Sequence, residues 1–281
     1  MKSVRVAMIQ MKVDEDKKRN LETAGEYIRK VADEGAHMAV LPEMFNCPYK
    51  TDNFPVYAEE EDGETVIFLS KMAMENGIYL VAGSIPEREG DKVYNTSFVF
   101  DRNGKRIGKH RKMHLFDIDV EGGQYFKESD TLSPGNSLNV FDTEFGKFGL
   151  CICYDFRFPE VGRILVEKGA MAIIVPAAFN MTTGPAHWEI MFRSRALDNQ
   201  VYTIGVAPAR DLNAPYISYG NSIAVSPWGN VIERMDEKEG YRIVTLDFDY
   251  VNKVRNELPL LKHRRRDIYS LVFTKDSCEN K

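Results

Sequence analysis

Apolar positions along this chain alternate between two periods, and the changes of period mark its elements. "VRVAMIQ" (Val4 to Gln10) predicts a strand. "DKKRNLETAGEYIRKVADEG" has helical spacing and ends at Gly35, a suitable helix C-cap. "MAVLPE" (Met38 to Glu43) is short and apolar, as a strand buried on both faces should be. A helix through "TVIFLSKMAMENG" and a strand "IYLVAGSI" follow. "VYNTSFVFD" and "RIGKHRK" then predict two strands separated by "RNG", a hairpin turn signal.

The second half keeps the rhythm. "FGLCICYD" predicts a strand, "PEVGRILVEKG" a helix with proline in its first turn, and "MAIIVPA" a strand. "AHWEIMFRSRALDNQ" predicts a helix and "VYTIGVAP" a strand. "NSIAVSPWGNVIER" and "YRIVTLDFD" read as antiparallel strands joined by a polar turn. Nothing resembling a linker interrupts this order, and the halves are not an evident repeat. The pattern predicts one α/β domain with a mixed sheet, as two sheets face to face with helices outside. The domain is expected over residues 1–271, with a polar tail at 272–281.

Composition narrows the partners. The 281 residues are 43% hydrophobic and 28% charged, enough for one large core, and the net charge of −5 offers no basic field to nucleic acid or anionic lipid. The one dense basic run, "KHRRRD" (Lys262 to Asp267), is expected to be a solvated face. No apolar run approaches the ~20 residues that span a bilayer, and the first residues lack the core of a signal peptide. Four cysteines in a chain of this size do not form a disulfide framework, so a reducing, cytoplasmic setting is expected.

Reactive groups collect at the ends of predicted strands, where ligands gather in open α/β sheets. "MAVLPE" ends in Glu43, "RIGKHRK" in Lys112, and "FGLCICYD" ends near Cys153. Each alone is bland: a surface acid, a surface lysine, a buried thiol such as Cys151 acting as a small hydrophobe. Together they make a complete acyl-transfer set. A thiol needs a base, a buried carboxylate can serve as one, and an ammonium plus a backbone N–H can hold an oxyanion. A Cys–His pair would need one of His37, His110, His114, His187 or His263, and none stands in a context that points at Cys153. A metal or redox role for the Cys-x-Cys pair is disfavoured beside this complete acyl-transfer set.

These residues resemble the nitrilase superfamily, the carbon–nitrogen hydrolases. "AVLPE" is similar to that family's glutamate motif, "KHRKMHLF" to its lysine motif and "GLCICYDFRFPE" to its cysteine motif. The resemblance runs from about Val4 to Leu271 and assigns Glu43 as base, Lys112 as catalytic lysine and Cys153 as nucleophile. In "GGQYFKESDTLSPG", Glu128 matches a second glutamate that braces the lysine and the substrate. The resemblance implies a four-layer αββα sandwich, pairing into a homodimer or larger homo-oligomer, and chemistry with no cofactor or metal on a small-molecule amide.

Within the family, "PAAFNMTTGPAHWEIMFRSRALDNQVYTIGVAPARD" resembles the ω-amidase branch, which hydrolyses the distal amide of short dicarboxylic monoamides such as 2-oxoglutaramate and succinamate. A deaminated-glutathione amidase, a nitrile or carbamoyl hydrolase, and an inert scaffold are the alternatives. Arg157 is a natural partner for a substrate carboxylate, since a guanidinium binds one bidentately. Tyr49 could hydrogen-bond the same group, Phe179 and Thr183 are expected to line the pocket, and the Tyr154 N–H to be the second oxyanion donor.

Overall fold

The computed structural model describes residues 3–274. Most of the expected tail, Cys278 included, lies outside the described residues. The first sheet contains β1 (Ser3–Gln10), β2 (Met38–Val40), β3 (Tyr79–Val81), β4 (Ile85–Glu89), β5 (Lys92–Phe100) and β6 (Arg106–Arg111). A small hairpin, β7 (Asp117–Asp119) and β8 (Tyr125–Lys127), stands apart. The second sheet is built from β9 (Asn139–Thr143), β10 (Gly146–Leu150), β11 (Ala172–Pro176), β12 (Tyr202–Val206), β13 (Ile223–Val225) and β14 (Val231–Arg234). The last strand, β15 (Gly240–Asp247), returns to the first sheet beside β1.

Alternation along the strands creates the layers. Val4, Val6 and Met8 of β1 face inward with Val40 and Val81, against Leu150, Ile174 and Ile204 of the second sheet. Ala7 and Ile9 face outward. Against them pack Leu21, Ala24 and Ile28 of α1 (Lys17–Asp33), followed after the single turn α2 (Phe54–Tyr57) by Leu69 and Met72 of α3 (Glu64–Asn76). On the other side, α4 (Pro159–Glu167) and α5 (Gly184–Asn199) bury Leu165, Trp188 and Phe192 over Ile173 and Val175. Each such side chain contributes about 1.5–3 kcal/mol when fully buried. The four-layer αββα order expected from the sequence is the order observed. A final helix, α6 (Phe248–Glu257), adds Phe248 and Val251 to the core between the sheets.

Three local expectations change. "IYLVAGSI" is two strands, because Gly83 breaks it at φ 56°. A Cβ at Gly83 would lie 2.1 Å from the Pro42 carbonyl oxygen, so glycine alone permits this close approach to the loop carrying Glu43. β5 spans the break, pairing with β3 through Val99 and Phe100 and with β4 through residues 92–96. Secondly, the hairpin turn lies inside "NSIAVSPWGNVIER", between β13 and β14, whereas β15 pairs antiparallel with β1 in the other sheet. β15 buries Val244 and Leu246 between the sheets, a destination its own alternation cannot specify. Thirdly, Arg264 in the basic run is not simply solvated: it is paired with Glu167 of α4 and 12% exposed.

Candidate active site

Glu43, Lys112 and Cys153 each follow the carboxyl end of a strand, and the fold brings those ends together. β2 stops at Val40, three residues before Glu43, and Met44 turns the chain at φ 51°. Lys112 is the first residue after β6, fixed by its N–H to the Asn95 carbonyl at 2.8 Å and its own carbonyl from Gly135 N–H at 2.8 Å. β10 stops at Leu150, so Cys153 is not on the strand that the sequence predicts. It opens a 3-10 turn, Cys153–Arg157, at φ 42°. A non-glycine residue in the left-handed region carries strain of about 1–3 kcal/mol, the kind held at reactive elbows. Positions two apart on a strand share a face, and Cys153 lies beyond the strand, so strand faces do not separate Cys151 from Cys153. Cys47, Cys151 and Cys153 are free and buried.

The Lys112 ammonium donates to Glu43 Oε1 at 2.9 Å and to Glu128 Oε1 at 2.9 Å, with all three side chains fully buried. Glu43 Oε1 also accepts from Asn95 Nδ2 at 2.8 Å and from the Tyr49 hydroxyl at 3.1 Å. Glu43 Oε2 is buried and accepts from no N–H or O–H group, which leaves the Cys153 thiol as the donor this carboxylate has beside it. One oxygen is thus saturated and the other is bare. Glu128 is held from both ends, by Tyr49 at 2.5 Å on Oε1 and Phe116 N–H at 2.7 Å on Oε2. A lysine has three N–H donors, and the third finds only the Tyr49 oxygen at 3.5 Å, too long for a strong bond.

Burial sets the electrostatics. It raises the Glu43 pKa, opposed by Lys112 and reinforced by the Glu128 charge. Burial alone would lower the Lys112 pKa, but Glu128 and Glu43 outweigh it and keep the ammonium charged. Burial also pushes the Cys153 thiol well above its ordinary value, with Glu43 adding to the effect and Lys112 opposing it. Burial favours the neutral thiol at Cys153, while the Lys112 ammonium favours the ionised form of Glu43 against its own burial. Such an arrangement can pass a proton from sulfur to carboxylate as the sulfur attacks.

A cavity of about 320 Å³ reaches this cluster, lined by Glu43, Tyr49, Ala178, Tyr216 and Ser218 among others. Tyr49 lines it, but its one proton is committed to the two glutamates, leaving none for the substrate carboxylate it was expected to bind. Arg157, Phe179, Thr183, Tyr154 and Cys153 are not among its lining residues. The Arg157 guanidinium lies 4.7 Å over the Phe179 ring and contacts His187 at 3.1 Å. Among the described residues, Arg157 forms no ion pair. The Tyr154 ring meets Phe116 and Phe158 edge to face. Thr183 stands at the start of α5, its hydroxyl bonded to Asn180 at 3.0 Å.

Sequence reasoning missed three contributors. Asn95 sits in "VYNTSFVFD", where a buried polar run in a strand is a signal of function. Asp155 follows the nucleophile by two residues, and its carboxylate turns inward to two histidines. Ser218 is 4% exposed, lines the cavity and has no partner for its hydroxyl. Only the first two had a visible cue.

Comparison with known proteins gives the family. A model of the carbon-nitrogen hydrolase family matches residues 5–256. The chain is 48% identical over 271 residues to omega-amidase NIT2-A of Xenopus laevis, covering 96% of this chain and 98% of that one. It is 45% identical to human omega-amidase NIT2, covering 98% of this chain and all of the other. The crystal structure of Saccharomyces cerevisiae Nit3, a member of branch 10 of the nitrilase superfamily, superposes with a TM-score of 0.86 at 43% identity, over 94% of this chain and 97% of that one. On fold, motifs and relatives together, the chain belongs to the carbon-nitrogen hydrolases of the nitrilase superfamily and is a hydrolase of carbon–nitrogen bonds other than peptide bonds.

Proposed function

We propose that this hydrolase is an ω-amidase, releasing ammonia from the distal amide of short dicarboxylic monoamides such as succinamate and 2-oxoglutaramate. The observation that carries the reaction type is the asymmetric Glu43 carboxylate, saturated at Oε1 and bare at Oε2, inside a fully buried cluster with Lys112. Glu43 Oε2 takes the Cys153 proton as Sγ bonds to the amide carbon, whose carbonyl electrons move to oxygen. The oxyanion is held by the unused Lys112 donor and the Tyr154 N–H. Glu43 returns the proton to the departing nitrogen, the C–N bond breaks, and ammonia leaves a cysteinyl thioester. Water, losing its proton to Glu43, then attacks the thioester carbon and frees the diacid and the thiol. Glu128 and Tyr49 hold Lys112 and Glu43 in register throughout.

The acidic substrate class is supported by Arg157, charged, without an acid partner among the described residues, and near enough to bear on Tyr216 of the cavity wall. The omega-amidase names of relatives at 45–48% identity support the same reading. Phe179 lies under that arginine, and Thr183 at the start of α5 is read as a pocket residue with it. Its working form is a cytoplasmic homodimer, in keeping with the free thiols and with Ile190, Leu197 and Trp228 exposed around one surface groove. A monomer in sedimentation would remove the dimer from this reading.

The test is selectivity. Ammonia release from succinamate should exceed that from propionamide, which lacks the second carboxylate, by about 100-fold or more in kcat/KM, the ~3 kcal/mol of a charged hydrogen bond. Arg157→Gln should erase most of that ratio by raising KM for succinamate. Equal rates on both amides would discard the diacid reading, and faster turnover of deaminated glutathione would replace it.

A further inference from the structure

We propose that Asp155 is the positioning residue that fixes Cys153 and Lys112 relative to one another. Its carboxylate is fully buried and accepts from both segments at once. On the lysine side, Oδ2 accepts from His110 Nε2 at 2.8 Å, and Oδ1 from His114 Nδ1 at 2.8 Å, His114 N–H at 2.9 Å and Met113 N–H at 3.1 Å. On the cysteine side, Oδ2 accepts from Ile152 N–H at 3.2 Å. These donors flank Lys112 in sequence and immediately precede Cys153. The His114 ring also stacks on Phe158 at 3.8 Å, five residues past the nucleophile, so the clamp closes again beyond the elbow.

The clamp is not explained by packing. A lone buried carboxylate is costly, and here burial would raise its pKa. The histidine and backbone donors reverse that and hold the group ionised, well below the usual carboxylate range. An anion stabilised by this many donors resists displacement of any one of them, and each belongs to a residue within two positions of a reacting group. Nδ1 of the His110 ring is buried and has no partner. The ring is therefore spent on Asp155 alone. A clamp of this kind matters because the attacking sulfur and the oxyanion donor must match one substrate geometry, and an error of about 1 Å can lower a rate ~100-fold.

The variant Asp155→Asn keeps the shape and removes the charge, placing an NH2 against N–H donors. Because turnover rests on the amidase reading, two readouts are taken: kcat and KM on succinamate, and the rate of Cys153 alkylation by iodoacetamide, which needs no amidase activity. The expected result is a fall in kcat of about 30- to 100-fold per titratable thiol, with KM within threefold and alkylation slowed about tenfold or more. A purely structural role would lower the number of titratable sites while leaving kcat and alkylation rate per site within twofold of wild type, and that result would overturn the proposal. If the wild type turns over no amide, the alkylation arm still decides. Should Asp155→Asn fail to fold, His114→Ala removes one side-chain donor and keeps the three backbone ones. It should lower kcat per site several-fold at unchanged KM, and wild-type behaviour there would contradict the clamp.

Discussion

Lys112 and Glu43 meet at 2.9 Å through one carboxylate oxygen only, which leaves Glu43 Oε2 buried without an N–H or O–H donor. That asymmetry divides two jobs within one side chain: Oε1 is anchored and Oε2 is available. Because burial raises the Glu43 pKa, the group also accepts a proton more readily than a surface carboxylate.

A pH profile follows. Glu43 can accept a proton only when ionised, so kcat/KM falls as pH drops through its pKa. That pKa lies above the value of about 4.3 for a free glutamate, so the acid limb should be displaced upward. The Cys153 thiol is raised rather than lowered, so no second rise is expected near the ordinary thiol value of about 8.5. Initial rates across the pH range check both points. Glu43→Gln, which keeps the size and removes the base, should lose about 100-fold or more.

Removing the ammonium should unfold as well as inactivate. Lys112→Met leaves Glu43 and Glu128 facing one another with no counter-ion, a change that typically costs about 3–5 kcal/mol. Protonation of the stranded carboxylates relieves the repulsion, so the loss should be larger at pH 8 than at pH 5. Urea unfolding of both proteins at the two pH values measures it.

Gly83 has an equally specific expectation. Alanine there would place Cβ 2.1 Å from the Pro42 carbonyl at a left-handed φ. The backbone term alone is about 1–2 kcal/mol, with the clash added. Because Pro42 precedes Glu43, kcat should fall along with the urea midpoint. An alanine variant with wild-type stability would show that the loop has room.

Much of this was legible from the chain because Glu43 and Cys153 close apolar runs, which mark strands and their ends, and Lys112 closes the second arm of a hairpin signalled by "RNG". The layer order followed from the alternation of strands and helices. What stayed hidden depended on contacts between distant segments. Asn95 reaches Glu43 across 52 residues, and nothing in its own neighbourhood names that partner. β15 carries the alternation of any half-buried strand, and pairing with β1 is decided by the open edge it finds. The break at Gly83 arises from a carbonyl supplied by another loop. Cys153 was placed on a strand because its neighbours are apolar, whereas a positive φ leaves no periodic trace.

The central claim is that Cys153 carries the chemistry on a diacid monoamide. Ammonia release from succinamate by the wild type and by Cys153→Ala, measured side by side on proteins of matched circular dichroism, tests it most directly. The expected result is steady turnover by the wild type and none above background in the variant, whose stability should be little changed because alanine removes only one buried sulfur. Turnover persisting in Cys153→Ala would contradict the account.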